Sequence, residues 1–391
     1  MKKVRSLALL GYYGNGNTGD EALLMSVLTN IEGWEGIGAV TVLSGDPEST
    51  RRQHKSNAVH NYLPTSFLEL VIGTLGRNWR AFFQSVAACL RSDTVVVGGG
   101  GLFFDREDHN RHVVRLLRTL LILERLGKEI YMIGIGANRF HHRGTSVLFR
   151  QVVNHRNMKL IVCRDPETTE LLKEYCQDTE KVHMTDDLAF GLSSSLKDTS
   201  SRHFRDVYLD RERVNVGLAL CGHSLKTNAR YASVIRQSVA RLVELGFNVI
   251  GLPMSVGMDD DREGMGQCLE EMVNHGQVRI VREGYTVAEN IAAIGALDCV
   301  IAERLHANIL AFVAGTPVVG ISYAPKVRLL FEGIGKEAWQ APISSLTPEW
   351  LVRTVQESIL KKSEIQSEIR RILAEKRVRA LRSFTLLAAA M

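Results

Sequence analysis

An arginine and a histidine follow a predicted strand near the end of the chain, at the point where a helix is predicted to begin. The apolar run Cys299–Ala302 is followed closely by Arg304 and His306, and residues 307–314 have the composition of a helix. The first N–H groups of a helix and its dipole, about half a positive charge, favour an anion at this position. A guanidinium and an imidazole there predict a site for phosphate or carboxylate. A surface salt bridge for Arg304 and a capping role for His306 are the alternatives.

A glycine-rich loop after the first predicted strand carries a second set of polar groups. Residues 11–21 read GYYGNGNTGDE, and the next helix is predicted to begin near Asp20. The spacing matches neither the dinucleotide-binding fingerprint nor the P-loop. The carboxylates of Asp20 and Glu21 would repel phosphate but suit sugar hydroxyls, as hydrogen-bond acceptors or as a general base. Capping of the helix by Thr18 or Asp20, with Glu21 complementing the dipole, is the structural alternative.

Two further strand ends carry candidate residues. Four glycines, Gly98–Gly101, follow the predicted strand Thr94–Val97. Each glycine costs roughly 0.5–1 kcal/mol of stability relative to alanine, so we expect a ligand or a neighbouring loop to approach the backbone closely there. Arg164 follows the strand Leu160–Cys163 and places another cation at a strand end, although a salt bridge with Asp187 would equally explain it.

Short apolar runs alternate with longer amphipathic segments along the chain, which is typical of parallel strands joined by crossover helices. Strands are predicted at residues 6–10, 39–43, 94–97, 129–133 and 160–163, and again at 214–220, 248–252, 278–280, 299–302 and 318–321. Helices are predicted at residues 20–30, 79–90, 111–126, 167–175, 231–245, 262–275 and 286–295. The pattern predicts an α/β protein of two Rossmann-like, doubly wound domains with a cleft between them.

A polar stretch sets the predicted domain boundary. Ser193–Asp210 has little apolar content and is the best linker, which gives a first domain of residues 1–195 and a second of residues 196–345. Residues 346–391 are predicted as helices that could pack back on the first domain. Ligands of doubly wound sheets bind off the carboxyl ends of the strands, where the candidate residues stand.

The composition is that of a soluble globular protein. The chain has 391 residues, 45% of them hydrophobic, and a net charge of +5, which favours small anionic ligands or an anionic lipid surface over nucleic acid. Six cysteines without a C-x-x-C pair indicate reduced thiols and a cytoplasmic location. No signal peptide and no apolar run of the ~18 residues that span a membrane are visible. The histidines lack metal-ligand spacing, so we expect no metal and an activity that survives chelation.

Two segments raise the question of a peripheral membrane contact. Residues 361–382 are strongly basic, and one face of the predicted helix carries Ile365, Ile369, Ile372 and Leu373. The segments 67–75 and 79–83 are apolar and lie beside two arginines. Ordinary packing against the domains is the favoured interpretation of both, and adsorption to anionic lipid is the alternative.

Taken in chain order, these segments resemble the polysaccharide pyruvyl transferase family, in particular the bacterial cell-wall polysaccharide pyruvyl transferases. The matching pieces cover nearly the whole chain: Gly11 to Gly14, Asn17, Gly19 to Ala22, Gly98 to Gly100 with Leu102 and Asp105, Arg164 with Asp165, Asp187 with Ala189 and Phe190, Arg304 to Ala307, Gly315 with Pro317, and Gly320 to Tyr323. Each piece is common alone, and their combination is specific.

The resemblance implies a glycosyltransferase-B-like fold and a defined chemistry. Family members transfer the enolpyruvyl unit of phosphoenolpyruvate to a sugar as a pyruvate ketal and release phosphate. For this chain that implies a cell-wall or exopolysaccharide precursor, in the form of a lipid-linked saccharide, as acceptor, and a role in S-layer anchoring. It also implies a cytoplasmic enzyme at the inner face of the plasma membrane, with phosphoenolpyruvate as co-substrate and no separate cofactor.

The resemblance also assigns roles to residues of this chain. It places phosphoenolpyruvate on Arg304 and His306, and secondarily on Arg164. We add Ala307 to this predicted site, and predict the saccharide acceptor on Asn17, Asp20, Gly99, Gly100 and Asp105. Arg304 would clamp the phosphate or carboxylate, and His306 would bind phosphate and could act as general acid. Asp20 or Glu21 would orient or deprotonate the acceptor hydroxyl.

The chain departs from the family pattern on the acceptor side. The family's usual Gly-Gly-Gly-Ser-Leu-Leu-Gln-Asp has Gly101 in place of the serine and Phe103-Phe104 in place of Leu-Gln, and Leu188 replaces a common proline. The donor is therefore better defined than the acceptor. The main alternative is a nucleotide-sugar-dependent glycosyltransferase of the B type, whose pyrophosphate would suit the same cations. A non-catalytic sugar- or anion-binding protein is the third interpretation.

Overall fold

The first sheet is built from seven parallel strands. The computed structural model describes residues 5–62, 79–193, 202–257 and 259–391. Its first sheet has the order β3-β2-β1-β4-β5-β6-β7. The strands are β1 (Arg5–Leu10), β2 (Ile37–Ser44), β3 (Asn57–His60), β4 (Thr94–Phe103), β5 (Glu129–Ala137), β6 (Met158–Cys163) and β7 (Val182–Met184).

Helices connect these strands, as parallel pairing requires. They are α1 (Thr18–Ile31), α2 (Pro47–His54), α3 (Trp79–Arg91), α4 (Arg111–Arg125), α5 (Arg143–Val153) and α6 (Pro166–Tyr175), and a short 3₁₀ helix follows at Leu188–Gly191. The central strands β1, β4 and β5 are buried along most of their length. Apolar runs with no polar alternation therefore form strands covered on both faces.

The second sheet has six parallel strands in the order β10-β9-β8-β11-β12-β13. The strands are β8 (Asn215–Ala219), β9 (Asn248–Gly251), β10 (Val278–Ile280), β11 (Cys299–Ala302), β12 (Val318–Ser322) and β13 (Gln340–Pro342). The helices are α7 (Arg202–Tyr208), α8 (Gly222–Thr227), α9 (Ala229–Glu244), α10 (Asp261–Cys268), α11 (Glu270–Asn274), α12 (Val287–Gly295), α13 (Leu305–Ala314), α14 (Pro325–Glu332), α15 (Pro348–Leu360) and α16 (Lys362–Ala390), with a 3₁₀ turn at Glu337–Trp339.

The two sheets confirm the predicted α/β class with two Rossmann-like domains. Every predicted strand is present, and most of them are buried apolar runs. The strands β3, β7 and β13 were not predicted, since they have only four, three and three residues and mixed polarity. Short strands at the edge of a sheet leave little periodicity to detect.

Three predicted segments differ in the structure. Strand β4 does not end at Val97 but continues through all four glycines to Phe103. Part of the predicted linker is helix α7, in which Phe204 and Tyr208 are buried and their rings stack with centroids 5.6 Å apart. The helix predicted at residues 262–275 is divided into α10 and α11 at Leu269.

The chain divides into two compact units that exchange two segments. The first unit draws on residues 1–15, 20–191 and 377–391, and the second on residues 16–19 and 192–376. The predicted boundary at 195/196 lies close to the division at 191/192, but residues 346–391 do not form a unit of their own. The short segment 16–19, which belongs to the N-terminal loop in sequence, is part of the second unit.

The final helix α16 contributes residues to both units. In the second unit Ile369 and Ile372, two of the apolar residues predicted on one face, are buried. In the first unit the buried residues of this helix include Phe384 and Leu387. The apolar face is therefore occupied by protein contacts, while most of its arginines are exposed.

The other segment considered for membrane contact is only partly described. Residues 67–75 lie outside the described residues, whereas Trp79 and Phe83 are exposed at the start of α3. Among the described residues, no helix combines the length and the apolarity needed to cross a bilayer.

Candidate active site

Arg304 stands at the junction of β11 and α13 in the second unit. Its backbone is extended, with φ −73° and ψ 136°, and it is the N-cap residue of α13. The helix that follows is firmly anchored, because most of its residues are buried. The first N–H groups of α13 therefore lie at a fixed position beside the guanidinium, an arrangement that favours anion binding.

The guanidinium of Arg304 is held by a fully buried carboxylate. Its Nε donates to Asp261 Oδ2 at 2.9 Å and its Nη2 donates to Asp261 Oδ1 at 2.6 Å. Burial by itself would lower the pKa of Arg304, but the charge and hydrogen bonds of Asp261 raise the pKa above its ordinary value. The side chain therefore stays cationic, and this two-point pair fixes its orientation.

Asp261 also fixes the loops around Arg304. It accepts backbone N–H groups of Gly222 at 2.9 Å, Met254 at 3.1 Å and Ser255 at 2.9 Å. Gly222 follows β8, Met254 and Ser255 follow β9, and Arg304 itself follows β11. One carboxylate therefore joins the loops after three strands of the second sheet. Sequence reasoning missed Asp261, and the only signal for it is the acidic run at residues 259–261 before a helix.

A second buried acid supports the same turn. Glu303 accepts the backbone N–H of Cys221 at 2.8 Å and the hydroxyl proton of Tyr231 at 2.9 Å. Burial raises the pKa of Glu303, and its hydrogen bonds and the charge of Arg304 oppose that rise. Glu303 and Asp261 thus hold the consecutive N–H groups of Cys221 and Gly222, which places the turn after β8 firmly beside Arg304.

The segment 16–19 is tied to the second unit by backbone hydrogen bonds. Thr18 N donates to Met254 O at 2.8 Å, and Val256 N donates to Gly16 O at 2.8 Å. Asn17 and Ser255 form an antiparallel bridge. Asn17, predicted on the acceptor side, therefore lies in the unit that contains Arg304 and His306.

Gly19 lies directly against the imidazole of His306. A Cβ built at Gly19 would lie 2.6 Å from Cγ and 3.0 Å from Cβ of His306, and closer still to Nδ1. The N–H of Gly19 is turned toward its own loop, since it donates to Asn17 Oδ1 at 2.9 Å. Ala307, the next residue after His306, is buried in the first turn of α13. The structure thus brings Asn17, Arg304, His306 and Ala307 into one unit.

In the first unit, Glu21 closes the glycine-rich loop. It accepts the N–H of Gly14 at 2.7 Å and lies 2.7 Å from His54 Nε2, and both side chains are buried. Gly14 has a φ of 73°, and a Cβ there would lie 2.6 Å from the backbone nitrogen of Asp46. Glu21 therefore has a clear structural role, and its role toward the acceptor stays a prediction.

The four glycines of β4 are approached by the protein itself. The hydroxyl of Tyr13 donates to Gly98 O at 2.6 Å. A Cβ at Gly99 would lie 2.8 Å from Leu23, and one at Gly100 would lie 3.1 Å from Asp20 Oδ1. Helix α1 thus packs closely on the strand, with Leu23 against Gly99 and Asp20 against Gly100. Asp20, Gly99 and Gly100 are three of the residues predicted to bind the acceptor.

The side chains of Arg164 and Asp105 are both buried, and both pair with other groups of the first unit. Arg164 Nη1 donates to Asp187 Oδ2 at 2.9 Å, which is the salt bridge considered as its alternative role. Asp105 accepts the backbone N–H groups of His141 at 2.7 Å and His142 at 3.2 Å, and so joins the loops after β4 and β5. Within the described parts of the chain, no three His, Cys, Asp or Glu side chains are grouped to hold a metal ion.

Comparison with protein families gives one match over most of the chain. Residues 17–325 match the family model described as polysaccharide pyruvyl transferase. The match includes the segment 17–19, Arg164 and the residues around Arg304. The family expected from the sequence motifs is therefore confirmed.

Solved structures of sugar-nucleotide enzymes share the fold. HepE of Anabaena, solved with UDP and glucose, has a TM-score of 0.61 and 11% identity, covering 99% of this chain and 100% of that chain. UDP-GlcNAc 2-epimerase of Methanocaldococcus jannaschii has a TM-score of 0.62 and 12% identity, covering 94% and 99%. The enzyme of Neisseria meningitidis, solved with UDP-GlcNAc, has a TM-score of 0.63 and 13% identity, covering 98% and 99%. At these identities the likeness establishes the glycosyltransferase-B-like fold.

Proposed function

Because the chain belongs to the polysaccharide pyruvyl transferase family, we propose that this transferase moves the enolpyruvyl unit of phosphoenolpyruvate onto a saccharide as a pyruvate ketal. The observation that carries the proposal is the Arg304–His306 pair at the start of α13, with the guanidinium oriented by Asp261. Phosphoenolpyruvate carries a carboxylate and a phosphate, which suit a fixed cation beside a helix N-terminus.

The reaction needs one proton donor and two acceptor hydroxyls. Protonation of the methylene carbon makes a methyl group and leaves positive charge on the central carbon, where the first sugar hydroxyl adds. The bond to phosphate breaks, and the second hydroxyl closes the ketal. Of the two hydroxyl protons, one balances the proton gained by carbon and the other leaves with phosphate.

The residues of the second unit suit the donor half of this reaction. Arg304 binds the phosphate or carboxylate, and its charge would stabilise the departing phosphate. His306, in the first turn of α13, binds phosphate and supplies the proton. Ala307 contributes its backbone N–H at the helix start. Arg164 is proposed as a further phosphoenolpyruvate residue from the family pattern.

The acceptor is proposed to be a lipid-linked cell-wall or exopolysaccharide precursor. The family supports a polysaccharide acceptor, and Asp20 beside the β4 glycines is the candidate that orients its hydroxyl. All six cysteines are unpaired, which fits a reducing cytoplasm. The exposed arginines of α16 would favour a peripheral contact with anionic lipid, and flotation with anionic and neutral vesicles tests it.

Phosphate release tests the proposal directly. The protein is incubated with phosphoenolpyruvate and a panel of synthetic lipid-linked disaccharides, and acceptor-dependent phosphate and ketal are measured. We expect His306→Ala to lower turnover about 10²–10⁴-fold at saturating phosphoenolpyruvate. Near-normal turnover of this variant would remove His306 from the catalytic role.

A nucleotide-sugar glycosyltransferase is the second candidate, because the solved structures with this fold include complexes with UDP and UDP-GlcNAc. Calorimetry distinguishes the two. Binding of phosphoenolpyruvate without tight binding of UDP supports pyruvyl transfer, whereas tight UDP binding without any response to phosphoenolpyruvate supports the glycosyltransferase.

A further inference from the structure

We propose that Gly19 is a positioning residue, whose missing side chain allows the His306 imidazole to lie in the orientation used for transfer. The expected effect of Gly19 on turnover rests on the proposed function of His306. Its expected effect on the position of the imidazole does not. It gives the glycine-rich loop a second role beside the acceptor role predicted for its carboxylates.

The contact between Gly19 and His306 leaves no room for a methyl group. A Cβ at Gly19 would be 3.0 Å or less from three atoms of the histidine side chain. The His306 end cannot easily retreat, because α13 is buried along most of its length. The Gly19 end is held on its N-terminal side by the Thr18–Met254 and Gly16–Val256 hydrogen bonds. Relief of the two shortest contacts, to Nδ1 and Cγ, must therefore come from rotation of the His306 side chain about its Cα–Cβ bond, which moves the imidazole.

Nothing in the backbone itself requires glycine at this position. Gly19 is absent from the glycines with positive φ and lies in the first turn of α1. Alanine is the better helix former, by up to about 1 kcal/mol in a helix interior. The space occupied by the imidazole explains the glycine, whereas backbone conformation does not.

The structural test is Gly19→Ala with Gly266→Ala as its matched control. Gly266 also lies in a helix without positive φ, and a Cβ there meets nothing within 4 Å. Ring C–H signals of ¹³C-labelled histidine are recorded, and His306 is assigned with His306→Asn. We expect the His306 signals to move in Gly19→Ala and stay in place in Gly266→Ala. Unchanged His306 signals in Gly19→Ala overturn the inference.

The double variant guards against a folding defect. If Gly19→Ala is destabilised, Gly19→Ala/His306→Ala should recover the melting temperature of His306→Ala, because the clashing ring is gone. Instability that persists without the ring overturns the inference.

Kinetics then separate positioning from binding. With phosphoenolpyruvate saturating, we expect Gly19→Ala to lower turnover at least about 100-fold, and to change turnover less than twofold when His306 is already alanine. An equal loss in both backgrounds overturns the inference. If the wild-type protein releases no phosphate from phosphoenolpyruvate with any acceptor, the proposed function fails, and the histidine signals still decide the role of Gly19.

Discussion

At the scale of single residues, buried carboxylates hold the candidate site together. Asp261 joins Arg304 to the loops after β8 and β9, Glu303 supports the turn after β8, and Glu21 closes the loop at Gly14. A carboxylate that accepts several N–H groups is itself held in place by these hydrogen bonds, and so fixes the orientation of its partners. The orientation of Arg304 thus depends on a residue that need not contact substrate.

Removing the charge of Asp261 should weaken the donor site. We expect Asp261→Asn to raise the KM for phosphoenolpyruvate at least about tenfold and to destabilise the protein by roughly 3–5 kcal/mol, since breaking a buried ion pair leaves a buried charge unpaired. Steady-state kinetics and urea denaturation measure the two effects. The control is Asp260→Asn, whose carboxylate pairs with Arg262 at a partly exposed position. An unchanged KM in Asp261→Asn would contradict the positioning role.

The Tyr13 hydroxyl gives a second prediction at this scale. Burial raises the pKa of Tyr13, so the hydroxyl keeps its proton and donates to Gly98 O. Tyr13→Phe should lower the free energy of unfolding by about 1–3 kcal/mol, because the buried carbonyl loses its side-chain donor. Urea denaturation measures the change, with exposed Tyr12→Phe as the control. Equal effects of the two substitutions would argue against this hydrogen bond as the cause.

At the scale of elements, apolar runs predicted the positions of the strands and, for β1, β6 and β11, their carboxyl ends, but they missed the end of β4 at Phe103. The runs around β1, β4 and β11 are long or strongly apolar, so their positions were predictable. The Arg304–Asp261 pair was not, because it joins residues 43 apart in sequence. A neighbouring loop was one of the two expected partners of the β4 glycines, but the particular contacts of Tyr13 and α1 with the strand depend on tertiary structure.

Glu124 in helix α4 should make the stability of the protein depend on pH. Burial raises the pKa of Glu124 from 4.5 to about 8, and within the described residues neither carboxyl oxygen has a hydrogen-bond partner. Between these two values the unfolded chain releases a proton that the native protein keeps. The free energy of unfolding should therefore fall by a few kcal/mol as the pH rises from 5 to 8.

Glu124→Gln should remove most of that dependence. Urea denaturation at pH 5, 7 and 8.5 compares the variant with the wild-type protein. The amide has no proton to lose in this range, so its free energy of unfolding should decrease less with pH. Parallel pH profiles would show that Glu124 does not cause the effect.

At the scale of the whole molecule, the chain order and the compact units do not coincide. Residues 16–19 belong to the second unit and residues 377–391 to the first. A boundary at 195/196 could be predicted because the polar stretch there is readable in the sequence. The sequence could not reveal the two exchanged segments, because the unit to which each one belongs depends on contacts made by a few residues.

Substitutions at the two ends of the last helix, α16, should destabilise different units. Phe384→Ala should destabilise the first unit by about 3–5 kcal/mol, and Ile372→Ala should destabilise the second by about 2–5 kcal/mol, because each removes a buried side chain. Hydrogen exchange should accelerate mainly in the first unit for Phe384→Ala, and mainly in the second unit for Ile372→Ala. The same exchange pattern in both variants would contradict this division.

The exchanged segments have a consequence for engineering. A chimera that joined the first half of one pyruvyl transferase to the second half of another at residue 191 would pair a foreign 16–19 segment with the native His306, and a foreign first sheet with the native end of α16. Each graft would mismatch a contact within a unit. Exchange of the first unit as a module should therefore transplant three pieces of the gene together, and leave codons 16–19 with the half that carries Arg304.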